Sequence, residues 1–136
     1  MEVIHDYVNL ETAKLLKELG FDVPCQTTYN EEGEVEDCID YTDSILFTVD
    51  DVNNALLNDF IVYLRPDLYI VQKWLRLKYN IWITVKKDWN KGTFLGYEAY
   101  IDDHEGYTDC GTFETPEEAE LEAIKYCLNN LIDGNK

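Results

Sequence analysis

Basic residues are scarce in this chain, with eleven lysines and arginines against 28 aspartates and glutamates. The net charge of −17 makes a surface that repels phosphate backbones and anionic lipid. Long apolar runs are missing as well. No segment approaches the 18 consecutive apolar residues that read as a membrane-spanning helix. Met1 leads straight into Glu2, His5 and Asp6, with no basic stretch and apolar block behind it, so no secretory signal is legible. These absences set the expectation of a cytoplasmic protein with no membrane partner. The cysteines are Cys25, Cys38, Cys110 and Cys127, none of them in a Cys-x-x-Cys pair, and the only histidines are His5 and His104. Tetrahedral zinc sites draw on close-spaced ligand pairs. No metal is therefore expected, and the thiols read as reduced. There is no Gly-x-Ser-x-Gly, no Gly-rich phosphate loop and no cofactor fingerprint. No catalytic residue and no cofactor are assigned.

What is present fits one globular domain over residues 1–136. The apolar fraction is 46%, and eighteen aromatics, ten of them tyrosines, supply core bulk. A chain of this size buries enough surface to fold without staples. The charge is uneven. Between Arg65 and Lys91 seven bases face two acids, giving +5, while the remainder has four bases and 26 acids, giving −22.

Apolar spacing predicts the elements. Asn9 as N-cap, Leu10, Ala13, Leu16 and Leu19 in a stripe, and Gly20 beyond the last turn define a first helix, which Pro24 prevents from continuing. Residues 25–39 read as a very acidic β-hairpin turning at Asn30-Glu31-Glu32-Gly33. Pairing Tyr29 with Glu34 sets Thr27 opposite Glu36 and Cys25 opposite Cys38. Residues 40–64 are the least legible. Ile45 to Val49 has strand composition, Asp50-Asp51 can open a helix through Val52, Ala55, Leu56 and Phe60, and a strand over Phe60 to Leu64 competes with that helix. Pro66 and Asp67 then suit the first turn of a helix that stops near Asn80. Strands follow at Ile81–Val85, Thr93–Ile101 and Tyr107–Phe113, separated by a turn at Asn90-Lys91-Gly92 and a polar loop from Asp102 to Gly106. Thr115-Pro116-Glu117-Glu118 opens a last helix with an N-cap, a proline at N1 and a capping box, and Gly134 ends it. The fold class is α+β. An α-β-β-β-α core with an antiparallel meander occupies residues 65–136, and residues 1–64 add a helix, the acidic hairpin and an irregular segment.

The α-β-β-β-α order over residues 66–132 resembles the double-stranded RNA-binding domain in topology. Members of that family that bind RNA place lysines at the start of the last helix. Here that stretch is Thr115-Pro116-Glu117-Glu118-Ala119-Glu120-Leu121-Glu122, whose carboxylates repel a duplex. The resemblance thus implies the fold and argues against the RNA partner. A second likeness lies in Asp6-Tyr7-Val8-Asn9-Leu10-Glu11-Thr12-Ala13-Lys14-Leu15-Leu16-Lys17-Glu18-Leu19-Gly20-Phe21-Asp22-Val23-Pro24-Cys25 and in Gln72-Lys73-Trp74-Leu75-Arg76. These segments are similar to small proteins of gut Bacteroidetes and their phages or prophages, a group with no assigned activity. That resemblance implies a phage or prophage setting without a mechanism.

Candidate sites are few. Asp102-Asp103-His104-Glu105-Gly106 gathers hard ligands but lacks the spacing of a calcium loop and reads as a solvated turn. Trp89, next to a turn and close to Lys86, Lys87 and Lys91, has the makings of a contact hot spot. Glu31, Glu32, Glu34 and Glu36 form the matching acidic surface. The leading expectation is a non-enzymatic protein-binding module that docks a host or phage protein, for example by imitating a phosphate track. A small metal-dependent hydrolase using clustered carboxylates is the rival. Weak nucleic-acid binding through residues 65–91 is the third reading, which the overall charge disfavours.

Overall fold

The computed structural model describes residues 6–37 and 46–132. The chain is α+β and folds as two compact units that divide between Asp67 and Leu68. Cys38, the start of the Ile45–Val49 run and Gly134 lie outside the described residues, as does His5.

In the first unit α1 spans Leu10–Glu18. Asn9 caps it through its side-chain oxygen, which accepts from the Thr12 amide at 2.9 Å, and Gly20 beyond its end takes φ +83°. Strands β1 (Thr27–Asn30) and β2 (Val35–Asp37) form the hairpin. The turn corrects the expected register by one residue. Tyr29 pairs with Val35, Thr28 with Glu36 and Thr27 with Asp37. The loop is three residues long, Glu31-Glu32-Gly33, closed by the Asn30 amide on the Glu34 carbonyl at 3.0 Å. Gly33 takes the left-handed position at φ +85°, and the Asn30 side chain accepts from the Glu32 and Glu34 amides. Cys25 is bridged to Phe47 by two backbone hydrogen bonds of 2.9 and 2.8 Å.

The two readings of residues 50–64 are both realised, one after the other. Helix α2 covers Val49–Leu57, opened by a full capping box between Thr48 and Asp51. Asp59, with φ +64°, reverses the chain, and β3 follows at Val62–Leu64. It pairs antiparallel with β1, so the sheet order is β2-β1-β3. Arg65 and Pro66 then run on beside Val8 and Thr27, with the Val8 amide on the Pro66 carbonyl at 3.2 Å and the Arg65 amide on the Thr27 carbonyl at 3.0 Å. Asp67 forms a bridge with Tyr7. These pairings hold the segment extended, so the next helix begins at Leu68 and not at Pro66.

In the second unit α3 spans Leu68–Tyr79 and ends on Asn80, whose φ of +55° lets the Ile81 amide reach back to the Leu75 carbonyl at 3.2 Å. Strands β4 (Trp82–Asn90), β5 (Thr93–Asp103) and β6 (Gly106–Phe113) make an antiparallel sheet in that order. The expected loop from Asp102 to Gly106 shrinks to a turn at His104-Glu105, because β5 and β6 keep pairing out to Asp103 and Gly106. Helix α4 (Pro116–Tyr126) starts on Thr115, whose hydroxyl accepts from the Glu118 amide at 3.1 Å. It continues as a π-helical turn over Cys127–Leu131, which periodicity alone does not announce. Helix α4 packs against all three strands, and α3 lies against both α4 and β4. Val71, Leu75, Ala99, Ile101, Ala123 and Ile124 are fully or almost fully buried in this unit.

Candidate partner surface on an open sheet face

Side chains alternate along a strand, so the register sorts the second unit's sheet into two faces. Ile83 faces Ile101 across the ladder and Val85 faces Ala99. Ala99 and Ile101 are buried, which identifies this as the face that α4 covers. The opposite face carries three rows. Trp82, Asp102 and Tyr107 form the first, Thr84, Tyr100 and Asp109 the second, and Lys86, Glu98 and Thr112 the third. Asp88 extends this face along β4. Trp82 is 52% exposed and Tyr107 65%, so large rings meet water on the side of the sheet opposite α4.

The rings on this face already hold cations from the chain itself. The Lys86 ammonium lies 4.7 Å from the centre of the Tyr100 ring, which packs on Tyr107 at 5.3 Å. The Arg76 guanidinium lies 5.1 Å from the Trp82 ring, and the Trp82 indole N–H donates to Asn80 Oδ1 at 3.4 Å. Two of the acids are held by groups of β6, Asp88 from across the sheet and Asp109 from within its own strand. Thr112 Oγ1 donates to Asp88 Oδ2 at 3.1 Å, and the Gly111 amide donates to Asp109 Oδ1 at 2.8 Å. Glu98 sits among these groups. A hydrogen bond with Asp88 raises its carboxyl above the ordinary carboxylate range, and desolvation and the negative charges of Asp88 and Asp109 push the same way, against Lys86. The folded chain therefore favours protonated Glu98, and that contribution to stability fades as pH rises through the raised pKa.

The residues singled out from sequence fall in different places. Trp89 is 58% exposed and lies within β4, beyond the stretch read as strand. Its ring packs on Phe94 at 5.2 Å, and Phe94 on Tyr97 at 5.3 Å, making an aromatic ladder at the end of the β4–β5 hairpin. Strand alternation puts Lys87 on the same side of the sheet as Trp89 and sends Lys86 to the open face, while Lys91 sits in the turn with φ +50°. Glu31, Glu32, Glu34 and Glu36 are exposed on and beside the β1–β2 turn in the first unit. Sequence reasoning did not single out the open face. Its signal is the alternation Trp82-x-Thr84-x-Lys86-x-Asp88 against Ile83 and Val85, which becomes readable once β4 is known to run to Asn90.

Among the described residues, Cys25, Cys110, Cys127 and His104 do not gather into a reactive centre. Burial pushes the Cys25 thiol up to about 12, helped by the charge of Asp67, and burial pushes Cys127 equally far, helped by Cys110 and Asp103. Cys110 is raised too, by burial first and then by Asp109 and Glu122. In native protein at pH 8, iodoacetamide is expected to leave Cys25 and Cys127 unmodified until denaturant is added. Peptide mapping by mass spectrometry checks this, and rapid native labelling of either would contradict their burial. His104 and Glu105 lie exposed 3.9 Å apart in their turn. Among the described residues, no three His, Cys, Asp or Glu side chains come together to hold a metal ion. A cavity of about 150 Å³ in the first unit is lined by Ala13, Leu16, Phe21, Val52 and Leu64 with Lys17 and Asn53 among its walls, and no carboxylate among the described residues borders it. No helix among the described residues is long and apolar enough to cross a membrane.

Compared with known proteins, the chain matches no protein-family model, no curated protein and no solved structure.

Proposed function

We propose that this protein is a non-enzymatic binding module that docks a basic host or phage protein in the cytoplasm through its charged surface. The open face of β4–β5–β6 carries the reading, because it combines exposed rings with carboxylates on the side of the sheet opposite α4. A patch of this kind is where a partner's side chains gain most from losing water. The dispersal of the acids supports the same reading. An acid-using active site draws its carboxylates into a deep cleft, whereas among the described residues none lines the apolar cavity of the first unit, the glutamates of the β1–β2 turn stand in solvent, and Asp109 and Glu122 share only an open hollow with Cys110 and Lys125. The net charge of −17 steers a basic partner towards the chain and holds nucleic acid off. The phage or prophage setting rests on the likeness of residues 6–25 and 72–76.

Immobilised protein tests this with host lysate across a salt gradient. A specific protein should be retained at about 50 mM salt and released as the Debye length shortens towards about 3 Å at 1 M. Retention of nothing at low salt, or retention indifferent to salt, would count against a charge-driven module.

A further inference from the structure

We propose that the open face of β4–β5–β6 receives an extended, arginine- or lysine-bearing segment of the partner, its cations seated on Trp82, Tyr100 and Tyr107 and flanked by Asp88, Glu98 and Asp109. This rests on the protein-binding reading and names its site and the chemistry of what occupies it. Charge complementarity selects the occupant. The described face carries Asp88, Glu98, Asp102 and Asp109 against Lys86 on the sheet and Arg76 at its border. Aromatic faces attract cations, guanidinium above all. Here Lys86 on Tyr100 and Arg76 on Trp82 show that a cation fits against these rings in the folded chain, and an incoming cation exchanges with them while Tyr107 offers a further ring. A third ring, Tyr107, is 65% exposed and stacks on Tyr100, so the aromatic strip reaches across from β5 to β6. Alternate side chains of an extended segment lie about 7 Å apart, the same repeat as the alternate positions of the strands beneath. Such a segment presents every second side chain to the rows of this sheet. A phosphate-bearing strand also finds rings to stack on, but meets the carboxylates as like charges.

Proton linkage adds a signature that general stickiness lacks. Glu98 is faced by Asp88 and Lys86 from β4 and by Asp109 from β6, and its carboxyl is held up chiefly by Asp88. An incoming cation favours the ionised form, so docking releases a proton and tightens as pH rises through the raised range.

The experiment is calorimetric titration of the full chain at 50 mM salt with an eight-residue peptide of alternating arginine and threonine. Controls are the same peptide with glutamate for arginine, and a ten-nucleotide thymidine oligonucleotide. The arginine peptide should bind, and the glutamate peptide and the oligonucleotide should not. Trp82→Leu should weaken binding about fivefold and the pair Asp88→Asn/Asp109→Asn about tenfold, from the usual worth of cation–π and charge-assisted contacts. Trp82 and Asp109 are exposed and Asp88 is half-buried, and an asparagine at 88 can still accept from Thr112, so both variants should keep the wild-type circular dichroism. Glu98→Gln should bind without releasing a proton and with a flattened pH profile. Peptide binding indifferent to these substitutions overturns the site, and so does tighter binding of the oligonucleotide. Either result leaves the binding-module reading standing if salt-sensitive capture of a protein persists, whereas failure of that capture overturns the reading itself.

Discussion

Gly96→Ala is expected to destabilise the second unit by about 3 kcal/mol, the upper end of what overpacking costs, although it adds one methyl group. Two independent obstacles meet at this position. Gly96 sits at φ +139°, a conformation that side-chain-bearing residues rarely adopt. A Cβ placed there lies 2.6 Å from the Phe113 carbonyl oxygen and 2.8 Å from Thr112 Cγ2. The first of these is backbone of β6 and has no rotamer to escape into. The position also follows a β-bulge, where Asp88 pairs with Gly96 and Trp89 with Phe94, so that Leu95 is the extra residue. The strain should therefore surface as lost pairing at the Tyr97–Phe113 end of the sheet. Urea unfolding and amide exchange test this together. A loss of stability below about 0.5 kcal/mol, or protection factors unchanged around Thr112 and Phe113, would show that β6 yields there at little cost.

Ile101→Ala is expected to cost about 3 kcal/mol, within the range for a large-to-small change at a buried site. Ile101 is 1% exposed on the central strand, pairs with Ile83, and looks into the face covered by α4. The side chain is lost together with the packing around it, and neighbours on a hydrogen-bonded strand have little room to collapse. Trp82→Leu supplies the contrast. It alters a larger side chain in the same sheet but on the open face, where Trp82 is already 52% exposed and leucine keeps part of the covered area, and it should cost no more than about 1 kcal/mol. Equal costs for the two substitutions would mean that the assignment of faces is wrong.

Local chemistry made the helix ends legible. Asn9 and Gly20 bracket α1, and Thr115-Pro116 opens α4, because capping is decided within a few residues of chain. Elements whose limits depend on distant partners were harder. Pro66-Asp67 has the composition of a helix start, yet hydrogen bonding to Val8 and the bridge to Tyr7 keep it extended. Strand β4 runs five residues past its β-branched core, since pairing with β5 carries Lys86, Lys87, Asp88, Trp89 and Asn90 into the ladder. The hairpin register is a one-residue matter, settled by the Asn30 side chain and the left-handed Gly33 in a shorter loop. A slip of that size moves every side chain to the other face.

The candidate surface was half legible for the same reason. Trp89 as an exposed ring could be read from its flanking turn, and its exposure of 58% agrees. The association of Trp89 with Lys86 could not survive strand alternation, which places the two on opposite sides of the sheet. The rows joining Trp82 to Tyr107 and Lys86 to Glu98 connect residues 12 to 25 positions apart. No local pattern in the chain encodes that proximity.

By itself, the amino-acid sequence determined the α+β class, the N-caps of α1 and α4, and the excess of negative charge, because propensity, capping and ionisation act within a few residues. The tertiary structure alone decided which side of the β4–β5–β6 sheet faces water and which residues stand together on it. Pairing register and the covering helix α4 make that choice, and both depend on contacts between segments far apart along the chain.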